Sequence, residues 1–146
     1  MKFNVRWGYN NVRIRPGDEW KTAFKTNHGL FEPLVMFFGL TNSPATFQAM
    51  MNKIFAKEIW EGHIIIYLDD ILIFSDNLDE HRTLVAQVLQ KLRLHKLYLK
   101  PEKCEFKKEM VNYLGMIVGG GEVQMEEKKV EAIRNWDLPS KKKDLQ

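Results

Sequence analysis

A single cysteine, Cys104, stands among 146 residues, so no internal disulfide can form and no oxidising compartment is implied. Zinc-ligand spacing is lacking too: His28, His63, His81 and His95 are scattered, and one cysteine cannot complete a structural four-ligand set. There is no Gly-Lys-Ser/Thr phosphate loop, which argues against an NTPase of that type. No apolar run approaches the roughly 18 residues of a membrane span, because Glu32, Asp69 and Asp70 interrupt the best candidates. Residues 1–6 lead into polar sequence rather than the apolar core of a secretory signal. Internal repeats, low-complexity tracts and Ser/Gly linkers are also missing. The expectation is one packed, intracellular unit (cytoplasm or nucleus) that is not secreted and has no membrane partner.

What is present is ample apolar material. A hydrophobic fraction of 45% with 12% aromatics exceeds that of a disordered tail. The net charge of +3 comes from 22 basic and 19 acidic residues distributed unevenly. Residues 1–30 carry six bases and two acids, 31–90 three and eight, and 91–146 thirteen and nine. Two basic flanks around an acidic centre suit a polyanion approached with divalent cations present, although chance segregation on a solvated surface gives the same pattern.

The pattern along the chain predicts a mixed fold. Residues 2–6 read as a short strand, 11–15 alternate polar and apolar, Pro16-Gly17-Asp18 makes a turn, and 20–26 resume a strand. A helix follows, with Ser43 as N-cap, Pro44 at its first position, and a buried stripe of Phe47, Met50, Met51, Ile54 and Phe55 ending at Gly62. Two β-branched runs, 63–68 and 71–74, flank Asp69-Asp70 as a tight hairpin. Ser75 or Asp76 caps a second helix to about Leu94, with Leu84, Val85, Val88, Leu89 and Leu92 inward. Residues 97–99 form a strand stopped by Pro101. Residues 112–118 and 122–125 flank Gly119-Gly120-Gly121 as another hairpin, and 126–136 form a last helix before Pro139. Without the 11–40 insertion and the late hairpin, the order is βαββαβ: an α+β, ferredoxin-like antiparallel sheet with helices on one face.

The sharpest chemical feature is Tyr67-Leu68-Asp69-Asp70 within an apolar run. Adjacent carboxylates repel, and apolar surroundings make keeping both ionised costly. Either a hairpin tip leaves them in water, or a hard divalent cation such as Mg²⁺ compensates them.

Several ordered motifs go further. Tyr67-Leu68-Asp69-Asp70, the segment 38–48 (Phe38-Gly39-Leu40-Thr41-Asn42-Ser43-Pro44-Ala45-Thr46-Phe47-Gln48), the segment 97–106 and Tyr113-Leu114-Gly115 occur in the order found in the reverse transcriptases of gypsy-type LTR retrotransposons. The chain resembles that family over nearly its whole length. The resemblance implies a polymerase palm at 1–10 and 39–118, partial fingers at 11–38, and the end of the palm with the start of the thumb or connection at 119–146. It implies RNA- or DNA-templated DNA synthesis on a template-primer with dNTPs, through two Mg²⁺ (or Mn²⁺) ions that stabilise attacking and leaving oxygens. Asp69 and Asp70 fall at metal-ligand positions. Tyr9 falls at the aromatic gate against a ribose 2′-hydroxyl, Phe38 and Gly39 beside the incoming nucleotide, and Lys103 at a phosphate contact or proton donor. Tyr113, Leu114 and Gly115 fall in the primer grip. Read without the resemblance, Tyr9, Phe38 and Gly39 are core and turn residues and Lys103 a solvated lysine.

One position departs from the family. Its first catalytic aspartate aligns with Asn4, whose neutral amide removes one of three negative charges and presents an NH₂ donor that a cation cannot use. Family segments before residue 1 and after 146, including basic fingers residues and the thumb, are expected to be missing. The sequence therefore predicts an inactive or severely impaired retroelement polymerase fragment. A co-opted, non-catalytic module binding nucleic acid or protein is the alternative, and a decayed remnant with exposed apolar surface at 34–38 is a third reading.

Overall fold

The computed structural model describes residues 1–136, so the expected stop at Pro139 and the segment 141–146 lie outside the described residues. Two compact units are distinguished rather than one, Met1–Phe106 and Lys107–Gln146. Among the described residues no helix is long and apolar enough to cross a membrane.

The first unit is built on a three-stranded antiparallel sheet. Strand β1 (Lys2–Asn4) is followed by 3-10 turns at Gly8–Asn11 and Glu19–Thr22 and by a small hairpin, β2 (Phe24–Thr26) and β3 (Gly29–Phe31). Helices α1 (Ser43–Ile54) and α2 (Ala56–Trp60) lead into β4 (Ile64–Tyr67) and β5 (Asp70–Ile73), and α3 (Leu78–Leu94) comes next. In space the order is β1-β5-β4. The segment 98–105 runs along the other edge of β1. There Arg6 N–H donates to Tyr98 O (2.7 Å), Lys100 N–H to Asn4 O (2.8 Å) and Glu105 N–H to Lys2 O (2.8 Å). That makes the expected fourth strand, reduced to isolated bridges because Pro101 has no N–H and opens a 3-10 turn at Pro101–Lys103. The βαββαβ order is therefore present.

The stripe on α1 packs as its spacing predicts. Phe47, Met51 and Phe55 are fully buried, with Met50 and Ile54 partly buried beside them. These side chains meet Phe3, Ile64, Ile71 and Ile73 from the sheet and Leu84, Val88 and Leu92 from α3 in one core. Gly8 packs on this core: a Cβ there would lie 2.9 Å from the Phe47 ring, so a larger residue would push the two apart.

Several local expectations shift. Residues 11–15 and 20–22 are not strands: Asn11 and 20–22 lie in 3-10 turns, and 12–15 are irregular with Arg13 bridging to Val35. Ser43 is the first helical residue rather than the cap, and its Oγ donates to Phe37 O (3.2 Å), tying the preceding loop to α1. Asn77, not Ser75 or Asp76, caps α3; its Oδ1 accepts from Asp79 N–H (2.8 Å) and Glu80 N–H (3.4 Å). Leu89 lies on the exposed side of α3. The Asp hairpin turns one residue earlier than expected, at Leu68-Asp69, because Tyr67 pairs with Asp70. A one-residue slip would turn Ile71 and Ile73 away from the core.

The second unit is a meander of β6 (Met110–Tyr113), β7 (Met116–Gly119) and β8 (Glu122–Met125), followed by α4 (Glu127–Arg134). The run 112–118 is thus two strands rather than one. Leu114 and Gly115 form a two-residue turn with φ of 54° and 75°. Gly115 suits that left-handed φ, whereas a Cβ there would meet only the movable end of the Lys129 side chain from α4. The last helix stops at Arg134, short of the expected 136; Ile133 on α4 and Trp136 beyond its end are both exposed.

A buried ion pair ties α2 to α3. The Glu58 side chain is 4% exposed and accepts from Lys91 Nζ at 2.8 Å, and the same ammonium donates to Ile54 O (3.1 Å). Replacing Lys91 strands that carboxylate without a partner. Lys91→Met is expected to lower the unfolding free energy by about 2–3 kcal/mol, the Lys91 end being partly solvated, while Glu58→Gln/Lys91→Met recovers most of the loss. Urea denaturation of the three proteins measures this.

Candidate polymerase active site

Backbone pairing assembles the acidic site. Asn4 lies opposite Asp70 across β1 and β5, Tyr67 lies opposite Asp70 across the hairpin, and Val5 N–H donates to Asp69 O at 2.7 Å. These contacts bring together residues 65 positions apart. Asn4 is buried, and its Nδ2 donates to Asp69 Oδ2 and to Asp70 Oδ1, each at 3.0 Å. Behind it lies Cys104, its Sγ accepting from Asn4 N–H (3.5 Å) and donating to Lys100 O (3.3 Å).

The hairpin tip is held from α1. Leu68 sits at φ 52°, a left-handed conformation unfavourable for a leucine. Its N–H donates to Gln48 Oε1 (2.7 Å), while Gln48 Nε2 donates to Ile66 O (3.1 Å) and Asn52 Oδ1 (2.8 Å). Gln48 therefore clamps both sides of the bend that presents Asp69. Sequence reasoning placed Gln48 in a motif without giving it a role; its polar side chain directly after the buried Phe47 was the available signal.

A cavity of about 460 Å³ opens beside the acids. It is lined by Asn4, Tyr9, Phe38, Asp69 and Lys103 among the expected residues, and by Arg6, Trp7, Phe47, Lys100 and Glu102 among those not expected. Tyr9 and Phe38 form one wall, with ring centroids 4.9 Å apart and planes tilted by 58°, and the Phe47 ring meets Tyr9 edge-on at 5.8 Å. Arg6 stacks over Trp7 at 4.6 Å. Gly39 does not line the cavity; at φ 103° it turns the chain behind Phe38. Asp70 joins the group through Asn4. Tyr113, Leu114 and Gly115 belong to the second unit, where Tyr113 is buried and the other two make the turn described above. Arg6 and Lys100 escaped sequence reasoning because only the pairing of 98–105 with β1 brings them to the same opening.

The donor set can be tested against a two-cation site. Hard dications require oxygen ligands, and the group inward of the two carboxylates is an NH₂. Among the described residues no cluster of three or more His, Cys, Asp or Glu side chains is placed to hold a metal. The residues present do not fit a cage for two divalent ions.

A ferredoxin-like sheet with acids at a central hairpin, beside an aromatic and basic cavity, defines the palm class of nucleic-acid polymerases. The profile of the reverse transcriptase (RNA-dependent DNA polymerase) family matches residues 1–118, and the chain belongs to that family. Among curated relatives, it is 41% identical over 138 residues to the retrovirus-related Pol polyprotein from transposon 297 of Drosophila melanogaster, covering 94% of this chain and 13% of that protein. It is 36% identical over 144 residues to the transposon Tf2-3 polyprotein of Schizosaccharomyces pombe, covering 99% and 11%. The chain is thus retrotransposon reverse transcriptase-like and spans a small part of these relatives' length. The same fold occurs in the foamy viral protease-reverse transcriptase solved with an RNA/DNA hybrid, at a TM-score of 0.83 and 23% identity over 99% of this chain and 19% of that one. A foamy viral protease-reverse transcriptase solved with double-stranded DNA gives 0.87 at 22%, over 99% and 30%.

The Gln48 clamp has a measurable consequence. Gln48→Met keeps the volume but leaves Leu68 N–H and Ile66 O without this partner, and is expected to lower stability by about 1–3 kcal/mol. Thermal or urea unfolding checks the size, and faster amide exchange confined to 66–70 would locate the effect.

Proposed function

We propose that this chain is a polymerase palm that engages template-primer but whose nucleotidyl transfer is severely impaired. In this reading residues 1–10 and 39–118 are palm, 11–38 are fingers, and 119–146 complete the palm toward the thumb. The cavity supports it. Arg6, Lys100 and Lys103 supply cations for phosphates beside a Tyr9–Phe38 wall suited to a sugar and base, next to the acidic pair. Tyr9, packed between Phe38 and Phe47, is stiffened where a gate against a 2′-hydroxyl would stand. Tyr113, Leu114 and Gly115 form a primer grip by family position. Template-primer, RNA or DNA, and dNTP are the partners assigned.

The observation that carries the impairment is the Asn4 amide lying between Asp69 and Asp70. Divalent cations supply the charge stabilisation in this family's reaction, and carboxylates hold them. With an amide at position 4, the anionic charge that would recruit Mg²⁺ or Mn²⁺ falls from three to two. Loss of a direct ligand exceeds the roughly 10–100-fold effect of altering a ligand's outer partners.

Two measurements test this reading. Primer extension on a poly(rA)/oligo(dT) substrate with Mg²⁺ or Mn²⁺ is expected to give no robust incorporation by this chain, and robust incorporation overturns the impairment. Duplex binding followed by fluorescence anisotropy is expected to fall steeply with salt and to persist in EDTA. A Lys103→Gln substitution is expected to weaken binding and reduce the salt slope by about one. No binding at low salt would overturn the template-primer assignment, whereas binding without extension also fits a co-opted nucleic-acid module.

A further inference from the structure

We infer that in this chain the Asn4 amide takes the place of a counter-cation: one buried NH₂ group bridges Asp69 and Asp70 and holds the acidic pair in its converged arrangement without a divalent ion. The stoichiometry is complete. An amide nitrogen has two hydrogens, and it faces two carboxylate oxygens, Asp69 Oδ2 and Asp70 Oδ1, each 3.0 Å away. Hydrogen bonds to ionised acceptors are the strong kind, and here two share one buried donor group.

The amide has little freedom to leave. Its backbone is fixed on both sides, by the register with Asp70 on β5 and by Lys100 N–H donating to Asn4 O at 2.8 Å. The residue is only 5% exposed, so solvent offers the NH₂ no competing acceptor of equal quality. Turning the amide over would set its oxygen against two carboxylate oxygens, which is repulsive unless a cation lies among them. A divalent ion that is to sit where the NH₂ group lies, bridging those two oxygens, must therefore break two charge-assisted hydrogen bonds and displace the amide. An aspartate at the same position would carry no hydrogen to share and would add a third negative charge. In that chain three carboxylates would repel one another until a cation joined them.

The inference concerns the resting state of the acidic pair and stands apart from whether the chain copies nucleic acid. Robust primer extension would remove the proposed impairment without deciding this point. The test compares the full chain with Asn4→Asp. The melting temperature of the unaltered chain is expected to be the same in EDTA and in millimolar Mn²⁺. Asn4→Asp is expected to melt lower in EDTA, to recover with Mn²⁺, and to bind Mn²⁺ at least about 10–100-fold more tightly by calorimetry. Equal Mn²⁺ affinity in the two proteins, or an equal Mn²⁺ shift in melting, overturns the inference. Should Asn4→Asp fail to fold even with Mn²⁺, the side-chain amide resonances of Asn4 in the unaltered protein decide. Slow hydrogen exchange and no shift on adding Mg²⁺ support the bridge, and a saturable shift with loss of protection overturns it.

Discussion

The pairing of β1 with β5 is the constraint on which the site depends. Asn4 opposite Asp70 sets which side chains converge, and the Val5–Asp69 hydrogen bond carries that register one residue into the turn. The same three residues of β1 bury Phe3 in the core and so cannot slide without exposing it. Because side chains alternate across a strand, a slip of one residue would send Asn4 to the core face and Phe3 toward the acids. Hydrophobic burial thus fixes a polar geometry that it does not itself touch.

Helix α1 serves both sides of this arrangement. Its buried stripe anchors the sheet, and the next residue round, Gln48, reaches the outer edge of the hairpin to support the left-handed Leu68. At its start, Ser43 binds Phe37 O and fixes the loop that carries Phe38 over Tyr9. The acids and the aromatic wall are therefore positioned by one rigid element, which suits a site whose parts must keep fixed separations. Electrostatically the cavity lining is mixed: Asp69 and Glu102 are its acids, and Arg6, Lys100 and Lys103 its bases. Basic groups raise the local potential for anions, and the neutral amide at position 4 adds no negative charge against it.

Much of this was legible before any coordinates. The α1 stripe, the β4–β5 hairpin, the glycine turn between β7 and β8 and the overall βαββαβ order follow from periodicity and turn residues. The family follows from ordered motifs. Less legible were the places where long-range packing overrode local preference. Local turn chemistry favoured Asp69-Asp70 for the bend, yet core register placed it at Leu68-Asp69 and forced a leucine into a conformation it rarely adopts. Ser43 had a good capping side chain, yet a nearby carbonyl claimed its hydroxyl.

By itself the sequence determined the residue types available: two adjacent acids, one amide at position 4, and the apolar periods that make sheet and helices. Only tertiary structure decided that the amide's nitrogen lies between both acids, and that Arg6, Lys100 and Lys103 share one cavity with Tyr9. The reason is physical. Periodicity reports which face of an element is buried, a local property. Convergence of residues 4, 69 and 100 requires strand pairing across most of the unit, and its partners are chosen by the energy of the whole core.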